Sequence, residues 1–522
     1  MQVAISKKLL RQFAFSLFTK VDNRYIIVKV GGRRFVRMPI TKEANLEAFM
    51  RKTKIVCTLG PASSTYDQIK KMALAGMNVA RINMSHGTYA EHQVKIDNVK
   101  KVRRSLGMPI PIMIDTKGPE VRIGTFKNGS VEIVEGQKFD FVCDDIVGDN
   151  TRVAVTYKDL YKDIAVGGKL LLNDGLLVFE IVDIEGTTIH AIAENGGVLS
   201  DRKGLFVPNV KLNMPFLSEQ DKKDLEFGIK NGAEMYAASF VQDADSIVQI
   251  RQFLADHGSK DSCIVAKIES QSGVTNLDAI IDASDGIMVA RGDLGVEMPY
   301  EKLPALQKMI ITQARMHGKF VITATEMLES MITKLRPTRA EIVDVANAVF
   351  DGSSCVMLSG ESAVGINPPN TIATMVRICE EAENNVDYKN MYATSPFTLM
   401  DATDAISHAA VSTSFDIGAK AIVIYTASGS SARMVSRFRP SMPIVAMTTT
   451  DRIYHQLSTS WGVIPVISPI FENSDDMLKH AEETVLRMGI AKAGDNIVIT
   501  AGLPLGAKVC TNLIKVSTLE EE

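Results

Sequence analysis

CIVAKIESQSGVTNLDAIIDASDGIMVARGDLG, residues 263–295, holds two apolar runs, Cys263–Ala266 and Ile287–Ala290, and each leads straight into charge. Lys267 and Glu269 follow the first run, Arg291 and Asp293 the second. A charge within a buried strand is costly unless it is paired or holds a ligand. At the tip of a parallel strand it stands where barrel enzymes keep their chemistry. An ammonium flanked by two metal-capable carboxylates suits a phosphoryl group or an enolate.

Runs of the same kind recur on either side, at 53–60 (TKIVCTLG), 78–85 (NVARINMS), 111–118 (PIMIDTKG), 235–242 (MYAASFVQ), 263–270, 286–293, 320–327 (FVITATEM) and 355–362 (CVMLSGES). Between many of them apolar residues fall three and four apart, as in Tyr66–Ala75, Asp243–Asp256 and Lys302–His317, which reads as helix. Eight alternations of strand and helix predict an α/β fold, a closed parallel (β/α)8 TIM barrel built from residues 50–118 and 212–390. Polar residues gather where the apolar letters stop: Arg81, Asn83, Ser85, Asp115, Thr116, Ser239, Lys267, Glu269, Arg291, Asp293, Thr325, Ser359 and Glu361. One strand ending this way is an ordinary exit into a loop. Seven of eight doing so predicts a single site at the C-terminal face.

Residues 119–211 break the pattern with short alternating strands and Gly, Asn and Asp turns (VEIVEGQKFDFV, KLLLNDGLLVFEIV, TTIHAIAENGG), which predicts an inserted small β-barrel domain placed as a lid. Residues 391–522 alternate helix and strand again, through Thr403–Phe415, AKAIVIYTA, SSARMVSRF, MPIVAMTT, GVIPVIS and DNIVITAG, an open C-terminal α/β domain. The first 49 residues differ. They carry ten Lys and Arg against Asp22, Glu43 and Glu47, which leaves the remainder of the chain near −10. We read them as a loosely ordered N-terminal extension or as sequence upstream of the true start, with a transit peptide as the alternative.

The net charge of −3 gives no field that favours nucleic acid, and no apolar run is long enough to span a bilayer. Cys57, Cys143, Cys263, Cys355, Cys379 and Cys510 show neither CxxC pairing nor metal spacing, which points to free buried thiols in a reducing, cytoplasmic compartment. Glu269 and Asp293 are hard oxygen ligands for Mg2+ or Mn2+, an ion that takes one or two carboxylates and completes its shell with substrate oxygens. Arg81, Lys267 and such an ion together neutralise a transferring phosphoryl group. Asn83, Ser85, Asp115 and Thr116 fit a monovalent cation and ordinary hydrogen bonding equally well. The turn TASGSSAR (426–433) opens a helix, and Thr426, Ser428, Gly429, Ser430 and Ser431 make either a phosphate cradle or a plain N-cap.

In this order KIVCTLGPAS, ARINMSHG, DTKGPEVR, AKIES, MVARGDLG, TATEMLESM, PTRAE and LSGESA resemble pyruvate kinase, from about Arg51 to Val516. The resemblance implies phosphoryl transfer from phosphoenolpyruvate to ADP, giving pyruvate and ATP, with Mg2+ (or Mn2+) and K+. It implies that Lys267 stabilises the phosphoryl group and the enolate, and that Glu269 and Asp293 hold the divalent ion. Gly292 and Asp293 would contact substrate through the backbone, Arg81 would grip phosphate, and Thr325 would place a proton through water. It assigns Asn83, Ser85, Asp115 and Thr116 to K+, and Arg122, Lys203, Thr58, Pro61 and His86, with Asn83 and Ser85, to the nucleotide. It also implies a homotetramer and a sugar phosphate at loop 426–431, with Trp461 lining it. Glu120 matches potassium-dependent members. Ile123, Glu326 and Val364 depart from common Thr, Gln and Lys, and TAGLPLGAK lacks the Arg- and Gly-rich pattern of sugar-bisphosphate responders. A Mg-dependent barrel C–C lyase or mutase working through a pyruvate enolate is the alternative enzyme, and a non-catalytic sugar-phosphate sensor is the non-enzymatic one.

Overall fold

Eight short strands, Lys54–Thr58, Val79–Asn83, Ile112–Asp115, Met235–Ala238, Cys263–Ile268, Gly286–Ala290, Phe320–Ala324 and Cys355–Leu358, pair in parallel and close on themselves. Each lies in one of the runs read from sequence. Every strand residue except Asn83 is buried, as expected where helices cover the outer face and side chains fill the lumen. The computed structural model describes residues 50–520 apart from 209, 211, 396, 507 and 508, together with three strands within residues 21–36.

Strand residues alternate between two cores. Val56, Val79, Met113, Met235, Val265, Met288, Ile322 and Met357 meet inside the barrel. Their neighbours Ile55, Cys57, Ala80, Ile114, Ile264, Ile287 and Val321 face the helices. This period of two decides where the polar residues go, because position i+2 stays on the same face. From Val265 it carries Lys267 and Glu269 to the lumen side. From Val79 it carries Arg81 and Asn83, from Met113 Asp115, and from Ala237 Ser239.

The covering helices end where local chemistry ends them. Thr65 caps Tyr66–Ala75 by accepting from Gln68 N, and Gly76, at φ +120°, closes it. Asp243 caps Ala244–Asp256, and Thr338 and Glu341 form a capping box on Arg339–Phe350.

The insertion is one six-stranded sheet and a two-stranded ribbon, Ser130–Ile133 with Gly197–Ser200, around a shared core of Phe139, Phe141, Phe179 and Leu199. The C-terminal domain is a five-stranded sheet in the order Val463–Ile467, Ile444–Thr448, Ile422–Tyr425, Asn496–Ala501, Leu513–Thr518. The last strand is antiparallel and was not anticipated, since LIKVST is short and only half-buried.

That domain is fastened to the N-terminal end of the barrel. Gln456 Nε2 donates to the carbonyls of Glu234 (3.0 Å) and Asp261 (2.9 Å), Arg452 Nη1 to that of Ala233 (2.9 Å), and Gly462 N to that of Lys52 (2.9 Å).

Within the leader Tyr25–Val30 and Arg33–Val36 pair antiparallel, with Val21–Asp22 alongside; its other residues lie outside the described residues. One expectation needs correction. Five cysteines are free and buried as expected, but Cys510 is exposed. Among the described residues no helix is long and apolar enough to cross a membrane.

Candidate active site

Lys267 is the hub. Its Nζ lies 2.9 Å from Glu269 Oε1, 2.7 Å from Ser239 Oγ and 3.3 Å from Asp115 Oδ1, so three neighbouring strands meet on one ammonium. Arg81 joins from a fourth. Its Nε donates to Asp115 Oδ2 at 2.6 Å and its Nη1 to Thr58 Oγ1 at 2.8 Å. Burial alone would lower the Lys267 pKa, but the Asp115 and Glu269 carboxylates hold it above the ordinary lysine range. Asp115 pays a burial penalty too, outweighed by Arg81 and Lys267, and stays below its usual value.

Glu269 is fully buried. Burial, and then the Asp293 charge, push its carboxyl up to about 8 despite Lys267. Oε2 accepts from Phe240 N at 2.6 Å, while Oε1, off the hydrogen-bond direction from Lys267, accepts no hydrogen bond. The Asp293 side chain, in the first turn of Arg291–Glu297, has no hydrogen bond or ion pair among the described residues. Two acidic side chains with free lone pairs, one raised in pKa by a desolvated site, form a place for a cation, whose charge would hold both ionised. Among the described residues no group of three or more His, Cys, Asp and Glu side chains is set to hold a metal. A hard divalent ion needs only the pair, with substrate oxygens and water filling the remaining positions.

Thr325 stands across the mouth. Its Oγ1 accepts from Gly292 N at 2.8 Å and donates to the Ala324 carbonyl at 2.6 Å. Thr325 and Glu326 adopt φ of +67° and +53°, and Phe240 +54°. A β-branched residue there is strained and needs surrounding structure to hold it. Arg291 supplies that hold. Its Nε and Nη2 reach the Thr325 carbonyl at 3.2 and 2.5 Å, and its Nη1 meets Asp344 Oδ1 at 2.7 Å. The sequence placed Arg291 and Glu361 among the phosphate- and metal-competent groups. Both are instead buried structural ties, Glu361 accepting from Leu328 N and Ser359 N. Ser239, marked in the sequence only as a polar strand end, turns out to bridge Lys267, Asp115 and the Thr116 carbonyl.

The residues assigned to K+ already have partners within the protein. Asn83 Oδ1 accepts from Ser85 N at 3.1 Å, and Thr116 Oγ1 donates to the Ala237 carbonyl at 3.3 Å. On the nucleotide side Arg122 pairs with Glu120 at 2.8 Å, and His86 is exposed, with its pKa lowered by partial desolvation, then by Arg122 and Arg81. Lys203 bonds Ile123 N through its carbonyl, and Pro61 starts the turn Pro61–Ser63. Between lid and barrel rim lies a cavity of about 240 Å³ lined by Glu120, Phe206, Phe240 and Glu297.

In the C-terminal domain Thr426 Oγ1 accepts from Gly429 N at 3.0 Å, Ser428 Oγ accepts from Ser430 N at 3.4 Å, and Ser431 Oγ meets Thr511 Oγ1 at 2.5 Å. Trp461 is buried at the domain junction, 4.8 Å beneath the Arg439 guanidinium. Ala507 and Lys508 of the TAGLPLGAK loop lie outside the described residues.

Residues 50–372 match the family described as pyruvate kinase, barrel domain, and residues 404–517 that described as pyruvate kinase, alpha/beta domain. The pyruvate kinase of Clostridium acetobutylicum is 44% identical over 90% of this chain and 100% of its own, and that of Geobacillus stearothermophilus 43% identical over 90% and 81%. The crystal structure of a pyruvate kinase from Cryptosporidium parvum superposes with a TM-score of 0.85 at 34% identity, covering 92% of this chain and 98% of that one. With the barrel, its insertion and its C-terminal sheet all accounted for, the chain belongs to the pyruvate kinase family.

Proposed function

We propose that the enzyme transfers the phosphoryl group of phosphoenolpyruvate to ADP, taking up one proton and releasing pyruvate and ATP. The observation that carries this reading is the buried Lys267 ammonium, held 2.9 Å from Glu269 beside the unpaired Asp293. The phosphoryl group in flight needs positioning and neutralised oxygens rather than covalent help. Lys267 and Arg81 supply the fixed positive charge, and Asp115 locks both in place. Glu269 and Asp293 would hold Mg2+ or Mn2+, which when bound adds Lewis-acid charge against substrate oxygens. Gly292 and the strained Thr325 line the site, and the Thr325 hydroxyl orients the water that delivers a proton to C3 of the enolate. Asn83, Ser85, Asp115 and Thr116 would take K+ after turning from their present partners. Arg122 and Lys203 on the lid, with Thr58, Pro61 and His86 on the barrel, would face the nucleotide. Loop 426–431 is the place for a sugar-phosphate effector, and a homotetramer is the working assembly.

A coupled lactate dehydrogenase assay tests the reaction. ATP-linked pyruvate formation that needs both phosphoenolpyruvate and ADP, and that stops without divalent ion, is expected. Aldehyde release from a hydroxy-keto acid in its place would move the assignment to the lyase class.

A further inference from the structure

Away from the catalytic site, buried positive charge collects where the C-terminal domain meets the base of the barrel. Arg315, near the end of helix Leu303–Met316, and Lys319 face Arg433 and Arg437 of helix Ser430–Arg437, with Arg439 just beyond it. All five line a void of about 10 Å³. Arg315, Arg437 and Arg439 are only 9%, 5% and 3% exposed. Arg433 and Arg437 sit four apart on one helix, a repulsive spacing for like charges.

Negative charge answers them unevenly, and none is set against Arg315. Asp404 Oδ1 lies 3.0 Å from Arg437 Nη2 without hydrogen-bond alignment, with Asp401 acting at longer range; Glu383 acts on Arg439, and Lys319 feels Asp285 and Asp282 while donating to the Ser284 carbonyl at 2.6 Å. Neutral acceptors take most of the rest: the Met316 carbonyl from Arg437 (2.9 Å), that of Gly352 from Arg439 (2.6 Å), that of Ser428 from Arg433 (3.0 Å), and Ser395 Oγ from Arg315 (3.1 Å). The Nε groups of Arg315, Arg437 and Arg439 remain buried with no acceptor. Burial pulls all three guanidinium groups below their ordinary pKa range, and Arg315 pulls Arg439 further. Packed donors of one sign with open hydrogen-bonding capacity are a binding site for the opposite sign.

We propose that this junction binds one small inorganic monoanion of halide size, which accepts from these Nε groups and pins the C-terminal domain to the barrel. At about 10 Å³ the void is of the order of a single small particle and far below what a phosphate ester needs. A water molecule would satisfy donors but leave the excess charge; a halide answers both.

Crystals of the full chain soaked in bromide give the first test, with an anomalous peak expected within hydrogen-bonding reach of at least two of Arg315, Arg437 and Arg439. The second compares thermal midpoints in chloride and in gluconate at equal ionic strength. Chloride should raise the midpoint by about 2 °C or more in the wild type and leave Arg315→Met unmoved, while phosphoryl transfer by that variant stays at the wild-type rate. An empty junction in the bromide map, a peak without a chloride-specific shift, or the same shift in Arg315→Met each overturns the proposal. Should Arg315→Met fail to fold, the map and the wild-type anion comparison decide it alone.

Discussion

Lys267 donates to an alcohol and one carboxylate and lies 2.9 Å from a second carboxylate in a buried site, so its charge is fixed in space before substrate arrives. Preorganised charge of this kind is worth far more than the same ammonium in solvent. Lys267→Met should therefore lower the turnover of phosphoryl transfer by about three orders of magnitude, with near-ultraviolet circular dichroism unchanged; near-wild-type turnover would remove Lys267 from the mechanism. A second titratable residue acts on stability alone. His455 is buried beside Arg103, and burial, then that charge, push its imidazole down to about 3. The folded chain keeps it neutral while the unfolded chain protonates near pH 6.5, so its contribution is intact above that pH and is lost as pH falls toward 3. At pH 5 the loss is about 2 kcal/mol. Denaturant unfolding across pH 7 to 5 should show this slope in the wild type and a shallower one in His455→Gln.

At the scale of strand and loop, alternation explains why so much of the site was legible. A strand whose residue 265 faces the lumen must turn residues 267 and 269 the same way, so AKIE already carries the orientation of its two charges. Arg81, Asp115 and Ser239 obey the same parity on their own strands. The structural role of Arg291 escaped the reading because its strand ends at Ala290 and a helix begins, so period two no longer applied. Its role depends on Asp344, more than fifty residues away, which no local pattern reveals. The strain at Thr325 was equally hidden, since a positive φ at a β-branched residue is imposed by tertiary contacts. Arg291→Lys, which cannot hold the Thr325 carbonyl with two nitrogens, should lower kcat about tenfold while KM moves little; an unchanged kcat would show the clamp to be structural only. Gly118 marks a close approach, at φ +73° with an added Cβ 2.9 Å from Ser239 Cβ. Gly118→Ala should cost about 1–3 kcal/mol in unfolding free energy and reduce turnover by displacing the Lys267 partner, and a fully active, equally stable variant would contradict that.

Across the whole molecule the two added domains sit at opposite ends of the barrel, the lid at the mouth and the C-terminal sheet at the base. The base contacts are mostly side chains of one domain on main-chain carbonyls of the other, so they tie the folding of the two together. Replacing Arg452 and Gln456 together by Ala should split a single calorimetric transition into two, and one unaltered peak would show that apolar packing alone joins the domains. The strand that carries Lys267 is six residues long, about 20 Å from foot to tip. Slipping it by one residue would turn its ammonium and its carboxylate outward, so it has no partial register to offer. News from the foundation must then reach the summit as the rigid tilt of an entire pillar, much as a clapper is moved by pulling on the far end of its rope.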